Sequence, residues 1–297
     1  MNLTWKASES ASALHAVHAQ ARGLTLLPPG LTEVLEPLVS EPPTAARGDL
    51  AGLTAGLLQY AAAGFENREL ARQTLDKRWG RGNVGDADVS ALAAWVSSVE
   101  QAFFGWHRWQ TDRQLVDEIA TRTAPLRDHW DARGPGMMRQ IGRLTEPCLV
   151  AERADVVMVL PVVGGGGTAH LPTNIVTIEA LLANTDPQLP EVVRLAWLAG
   201  QLQFDLPAVA EQLSPGGAPR IAVLAMLPPA LSAAESVELA EYTPASLSHA
   251  LGLWRVASTP AEADQLADVL TQWWGTYLAS DITWPAAAAA LEAMLAR

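Results

Sequence analysis

Apolar residues recur at intervals of three and four along most of this chain, and proline and glycine bound the segments that show the pattern. The clearest case follows Asp86, and its apolar members are Val89, Leu92, Ala93, Val96, Val99 and Phe103. This spacing predicts an amphipathic α-helix with one face on a core. Alanine is abundant, whereas phenylalanine (4 residues) and tyrosine (3 residues) are scarce, which favours packed helices over large sheets. We therefore predict a mainly α fold, a multi-helix protein.

One region departs from the helical pattern. Residues 154–163 (ADVVMVLPVV) are rich in valine and too short for a typical isolated helix, and residues 173–178 (TNIVTI) form a second β-branched run. Four consecutive glycines, residues 164–167, lie between the two runs. The pattern predicts a short β-hairpin or small sheet around residues 154–178, with α+β as the alternative fold class.

The composition also changes after Glu146, where the helical segments give way to the valine-rich run. This change predicts an N-terminal helical lobe, residues 1–146, and a C-terminal α+β lobe, residues 147–297. A single large domain is the alternative, because a chain of 297 residues can bury one continuous core.

The charge and the apolar content argue against two classes of partner. The formal net charge is −12, and the 20 lysines and arginines are scattered singly, whereas a nucleic-acid surface needs clustered cations. No stretch approaches the roughly 18 apolar residues of a membrane-spanning helix. The polar residues 1–10 do not resemble a signal peptide, and a single cysteine, Cys148, fits a reducing compartment. We expect a cytoplasmic protein with neither nucleic acid nor membrane as a partner.

No segment carries a specific catalytic, metal-binding or nucleotide-binding motif. The glycine run is followed by Thr168 and lacks the lysine of a phosphate-binding loop. His15 and His18 share a helix face but have no third ligand at a recognisable spacing. The sequence therefore predicts no cofactor and no metal, and it leaves the catalytic residues unknown.

The most informative segment is residues 191–205, an otherwise apolar helix with a polar stripe. Glu191, Arg194, Gln201 and Asp205 fall within one narrow sector of its helical wheel, interrupted by Leu198. Because an unpaired buried charge is costly, these side chains need partners. Three interpretations are open. The polar side chains reach solvent through a narrow opening, they form an internal polar network that holds the protein together, or they line the wall of a cleft.

The glycine-rich connection and this helix together define a candidate polar cluster. Its members are His170, Asn174, Glu179, Glu191, Arg194, Gln201 and Asp205. A carboxylate flanked by arginine and histidine can act as a general base for water, which suggests a hydrolase. Among the 11 tryptophans, most fall on apolar helix faces, and Trp109 and Trp274 are the candidates for exposed aromatic residues.

The order of glycine hairpin, strand with Glu179, then helix resembles that of zincin metalloproteases. In those enzymes a strand beside the cleft precedes the helix that bears His-Glu-x-x-His. The comparable residues 194–201 (RLAWLAGQ) contain no histidine, so the resemblance implies a degenerate zincin-like pseudoenzyme without metal ligands. No site residue of that family is carried over.

The leading functional hypothesis is a non-catalytic binding or scaffold protein whose partner is a protein or a small molecule. The alternatives are a hydrolase with an unrecognised active site between the glycine hairpin and helix 191–205, and the pseudoenzyme. The hydrolase hypothesis predicts that the hairpin and this helix line one pocket.

Overall fold

The computed structural model describes residues 1–24, 27–164 and 166–296. It shows a mainly helical protein with a small sheet, which confirms the predicted fold class. The strands are β1 (Asn2–Ala7), β2 (Arg153–Val159), β3 (Gly167–His170) and β4 (Ile175–Glu179). The helices are α1 (Glu9–Ala21), α2 (Leu31–Ser40), α3 (Leu50–Ala62), α4 (Asn67–Trp79), α5 (Asp86–Gln110), α6 (Leu115–Leu144), α7 (Glu191–Gln201), α8 (Pro207–Ala210), α9 (Ala218–Ala225), α10 (Leu227–Ser236), α11 (Pro244–Leu253), α12 (Pro260–Leu278) and α13 (Trp284–Leu295).

The sheet has the strand order β1-β2-β4-β3. β2 is parallel to both β1 and β4, and β3 is antiparallel to β4. The two β-branched runs therefore do not pair as a hairpin, and that detail of the prediction is wrong. The hairpin is formed instead by β3 and β4, which are antiparallel. After β2 the chain first forms β3 at the edge of the sheet, and β4 then takes the position between β3 and β2. Gly165, within the glycine run, lies outside the described residues.

β1 was not predicted from the sequence. Its side chains alternate between exposed and half-buried positions, so it lacks the apolar signal of a buried strand. It pairs with β2, so the sheet draws strands from both sides of Glu146. The division into lobes 1–146 and 147–297 stays a prediction.

Helix α7 lies at the centre of the molecule. Every residue from Glu191 to Gln201 is buried, and the helix packs against β3, β4, α6 and α10. The side chain of Asn184 accepts a hydrogen bond from the Glu191 backbone N–H at 3.0 Å, which satisfies one free donor at the start of the helix. The polar residues of α7 must therefore find partners inside the protein or at a cleft.

The two tryptophans predicted to be exposed behave differently. Trp109, at the end of α5, is 92% exposed, as predicted. Trp274 is only 1% exposed, so its predicted exposure is wrong. The cause is α13, whose Trp284 packs edge-on against the Trp274 ring and covers a second face of α12. Within the described ranges, no helix is both long and apolar enough to cross a membrane.

Candidate functional site

Two clefts meet at strand β3. The first, here called the tryptophan cleft, has a volume of about 380 Å³ and lies between β3, α7, α9 and the α11–α12 connection. The second, here called the lysine cleft, has a volume of about 510 Å³ and lies between β3, α3, α4 and α9. Thr168, Ala169, Leu171 and Pro219 line both clefts. The segment after the glycine run and helix 191–205 both line the tryptophan cleft, but of the candidate polar cluster only Gln201 does so.

β3 is an edge strand. Among the described residues it pairs with β4 alone, so its other side carries backbone N–H and C=O groups without a neighbouring strand. Thr168 is exposed on this edge. Close packing against α7 depends on Gly167, because a Cβ atom there would come within 2.8 Å of the Leu198 side chain.

The lining of the two clefts is rich in positive charge. Its cationic side chains are Arg22, Arg220 and Arg255 in the tryptophan cleft and Lys77 and Arg78 in the lysine cleft. Its carboxylates are Glu262 and Asp205, one in each cleft. Five cations and two carboxylates line the clefts, and one of the cations, Arg78, is paired with Asp49 at 3.1 Å, so the lining remains net positive in a chain whose net charge is −12. Local charge of this kind attracts acidic ligands.

The connection into β3 is held from both sides. Glu179 accepts hydrogen bonds from the backbone N–H groups of Val163 (3.0 Å) and Gly164 (3.1 Å). Arg255 donates to the carbonyls of the same two residues, at 2.9 Å and 2.6 Å. Arg255 has a φ of 56°, a left-handed conformation that is costly for a residue with a Cβ atom. The strained backbone of Arg255 costs free energy, and its two hydrogen bonds to the carbonyls of Val163 and Gly164 offset this cost.

Glu179 is fully buried and lies 3.3 Å from His15 Nε2. Burial acts to raise the pKa of Glu179, but His15, Arg194 and the Val163 N–H lower it by more, so the net shift is downward. Gly166 is required here, since a Cβ atom would lie 2.1 Å from the Glu179 carboxylate. Glu179 is therefore a buried anion that fastens this connection to the sheet.

Arg194 and Glu191 form a buried ion pair on α7. Arg194 is 0% exposed, and its Nε and Nη1 have no hydrogen-bond partner among the described residues. Its Nη2 contacts Glu191 Oε2. Burial raises the pKa of Glu191, and Arg194 opposes that shift.

The candidate polar cluster therefore separates into three groups. Glu179, Glu191 and Arg194 lie close together in the interior and are not among the described residues that line the two clefts. Gln201 lines the tryptophan cleft, and His170 and Asp205 line the lysine cleft. Asn174 is exposed at the β3–β4 turn and donates to the Arg153 carbonyl at 2.6 Å. The polar stripe is thus an internal ion pair at one end and a cleft wall at the other.

Several residues of the site were not predicted from the sequence. Trp197, Trp254, Arg22, Arg220 and Arg255 come from four separate segments, and nothing in their local spacing links them. His15 was noted only as half of an unconvincing metal pair. His15 belongs to the buried residues of α1, most of which are alanine, leucine and valine, and this was the one signal that the sequence offered.

Two other histidines near the site, the half-buried His18 and the buried His170, have lowered pKa values. Burial, His15 and Arg22 lower the pKa of His18 to about 4, and its Nδ1 lies 2.9 Å from Thr54 Oγ1. Burial, Lys77 and His18 lower the pKa of His170 to about 3, and its Nε2 lies 3.0 Å from Thr177 Oγ1. At neutral pH these histidines add no positive charge to the clefts.

These shifts predict a loss of stability in mild acid. In the unfolded chain, His18 and His170 take up protons near the ordinary histidine pKa of 6.5, whereas the folded protein does so only near pH 4 and pH 3. The free energy of unfolding should therefore fall as the pH is lowered from 6.5 to 4, by on the order of 3 kcal/mol from His18 alone. Urea unfolding measured at several pH values between 6.5 and 4 checks this fall in the free energy of unfolding.

His18→Asn should flatten this pH dependence, since the asparagine amide can still reach Thr54. His129→Asn is the matched control, because His129 is only partly buried and its pKa is lowered less. Equal slopes for His18→Asn and the unmodified protein would contradict the assignment.

Within the described parts of the chain, no group of three or more His, Cys, Asp or Glu side chains could hold a metal ion. Helix α7, at the place that resembles the zincin helix, presents Glu191, Arg194 and Gln201 on its polar face. No family model, curated protein or solved structure is significantly similar to this chain. The two clefts and the strand between them are therefore the features of the protein that bear on its function.

Proposed function

We propose that this is a binding protein whose partner is an acidic, extended polypeptide segment that adds to the free edge of β3. The observation that carries the proposal is the position of this edge. The strand lines both clefts, and the lining around it holds five cations against two carboxylates.

If a partner segment adds to the edge of β3 as a further strand, that one segment can contact both clefts, because β3 lines both of them. The main-chain groups of the partner pair with the free N–H and C=O groups of β3, which supplies affinity without sequence preference. Side chains of an extended segment point alternately to opposite faces, so successive side chains reach different pockets. Acidic side chains among them meet Arg22 and Arg220 on one side and Lys77 on the other.

The test uses two fluorescently labelled octapeptides, acetyl-(Glu-Thr)4-amide and acetyl-(Lys-Thr)4-amide, titrated with the protein and followed by fluorescence anisotropy. We expect the glutamate peptide to bind at least about tenfold more tightly at low salt, and the difference to shrink as salt is added. Equal affinity for the two peptides would contradict the proposal.

Strand addition has a second signature in the backbone of the peptide. In an extended strand, N–H groups point to alternate sides, so only every second one faces β3. N-methylation of the odd residues and of the even residues gives two peptides of identical composition. We expect one of the two methylated peptides to lose binding and the other to keep it. If the peptide bound through its side chains alone, both methylated peptides would bind about equally.

A further inference from the structure

Two residues that line the tryptophan cleft carry buried hydrogen-bond donors without a partner among the described residues. Gln201 lines it and is 3% exposed, and its amide nitrogen Nε2 has no hydrogen-bond partner among the described residues. Trp254 also lines it, and its indole N–H is buried with no partner in the same set. Buried polar groups are nearly always paired in native proteins, so these two unpaired donors indicate a missing acceptor. Neither nitrogen is accessible from the cleft, so the acceptor reaches them only when the two side chains shift.

The neighbouring indole provides a contrast. Trp197 stacks on Trp254 with ring centroids 4.9 Å apart, and its N–H donates to the Val223 carbonyl at 2.9 Å. Both indoles line the cleft and supply apolar surface to it, and the Trp254 N–H has no partner among the described residues.

Charge at the same cleft favours an acceptor that is an anion. Arg22 and Arg220 are exposed at its rim and form no ion pair with the described part of the chain. Glu262 is the single carboxylate of the lining, and one of its oxygens already accepts the Ser258 N–H at 2.7 Å. Arginine and neutral N–H donors together form the usual surroundings of a bound carboxylate.

We propose that the tryptophan cleft is a carboxylate subsite, in which Gln201 and Trp254 donate hydrogen bonds to the carboxylate and Arg220 and Arg22 neutralise it, beside the stacked indoles. The inference rests on the proposed function, since it assigns this subsite to an acidic side chain of the bound segment. Its volume of about 380 Å³ is large enough for one side chain and excludes a folded domain.

The direct probe is phenylacetate, which combines a carboxylate with an apolar ring that can pack against the two indoles. Phenylacetamide is its neutral counterpart of nearly the same shape. We expect the indole N–H resonance of Trp254, assigned with Trp254→Phe, to move downfield on titration with phenylacetate. We expect at least about tenfold weaker binding of phenylacetamide, the usual consequence of removing a charge from such a site.

Variants of Gln201, Arg220 and Trp254 test the donors one at a time, and each should weaken phenylacetate binding. Gln201→Glu keeps the shape and replaces an amide with a carboxylate, so it should abolish phenylacetate binding. Arg220→Gln, at an exposed position, should weaken binding by about three- to tenfold without affecting the fold. Arg139→Gln is the matched control, because Arg139 is equally exposed on α6 and lines neither cleft. If Gln201→Glu does not fold, Arg220→Gln and Trp254→Phe still decide the question.

The failures of the two proposals can be told apart. If the glutamate peptide binds the unmodified protein, Arg220→Gln and Trp254→Phe with equal affinity, the carboxylate subsite is wrong and strand addition stands. If phenylacetate shifts the Trp254 resonance but no peptide binds, the subsite stands for a small free acid, and its assignment to a peptide side chain is wrong. No shift of the Trp254 resonance and no preference for phenylacetate over phenylacetamide would overturn the subsite itself.

Discussion

We expect Glu179→Leu to lower the free energy of unfolding by roughly 3–5 kcal/mol, the usual range for breaking a buried charged network. The leucine leaves the backbone N–H groups of Val163 and Gly164 without their acceptor. It also removes the anion beside His15, which is buried too. Urea unfolding at neutral pH, followed by circular dichroism, measures the loss.

Glu179→Gln is the matched control for this substitution. The amide keeps one acceptor oxygen and the same shape, so the loss should be smaller, about 1–3 kcal/mol. A cost below about 1 kcal/mol for the leucine variant would show that water readily replaces the carboxylate, and the described role of Glu179 would then be wrong. Since the same connection leads directly into β3, the leucine variant should also bind the glutamate peptide more weakly.

The second large effect is expected at the ion pair of α7. Glu191→Leu leaves the Arg194 guanidinium fully buried with its neighbouring carboxylate removed. Breaking a buried ion pair typically costs roughly 3–5 kcal/mol. Because Glu179 remains as a second buried anion near Arg194, we expect a destabilisation at the lower end of that range. The measurement is again urea unfolding at neutral pH.

The double variant Glu191→Leu/Arg194→Met should recover most of the lost stability. Replacing both partners by apolar side chains removes the buried charge together with its counter-ion, which is often neutral for stability. Arg194→Met alone should cost less than Glu191→Leu alone, because burial already favours the protonated, neutral form of Glu191. If the two single effects simply add in the double variant, the side chains do not act as a pair.

The helices were the part of the fold most accessible to sequence analysis. The apolar stripe after Asp86 predicted a helix, and α5 begins at that residue. Such an apolar stripe shows which face of a single helix is buried, so it can be recognised from that segment of the sequence alone. Strand pairing is different, because β2 and β4 are equally apolar whether they pair in parallel or in a hairpin.

The candidate site was predicted only in part. The polar stripe of residues 191–205 was recognised, but its division between interior and cleft depends on what covers each turn of α7. Glu191 and Arg194 lie beneath the sheet and neighbouring helices, whereas Gln201 reaches the tryptophan cleft. The cationic lining could not be predicted, since its arginines stand singly among residues of other types.

By itself the sequence determined the mainly helical character, the place of the small sheet and the one segment whose polar residues required partners. These properties follow from local spacing and from the cost of burying unpaired charge. Only the tertiary structure decided that β3 has a free edge, that Arg255 and Glu179 hold the connection before it, and that five cations surround it. These properties follow from contacts between distant segments, which local patterns do not encode.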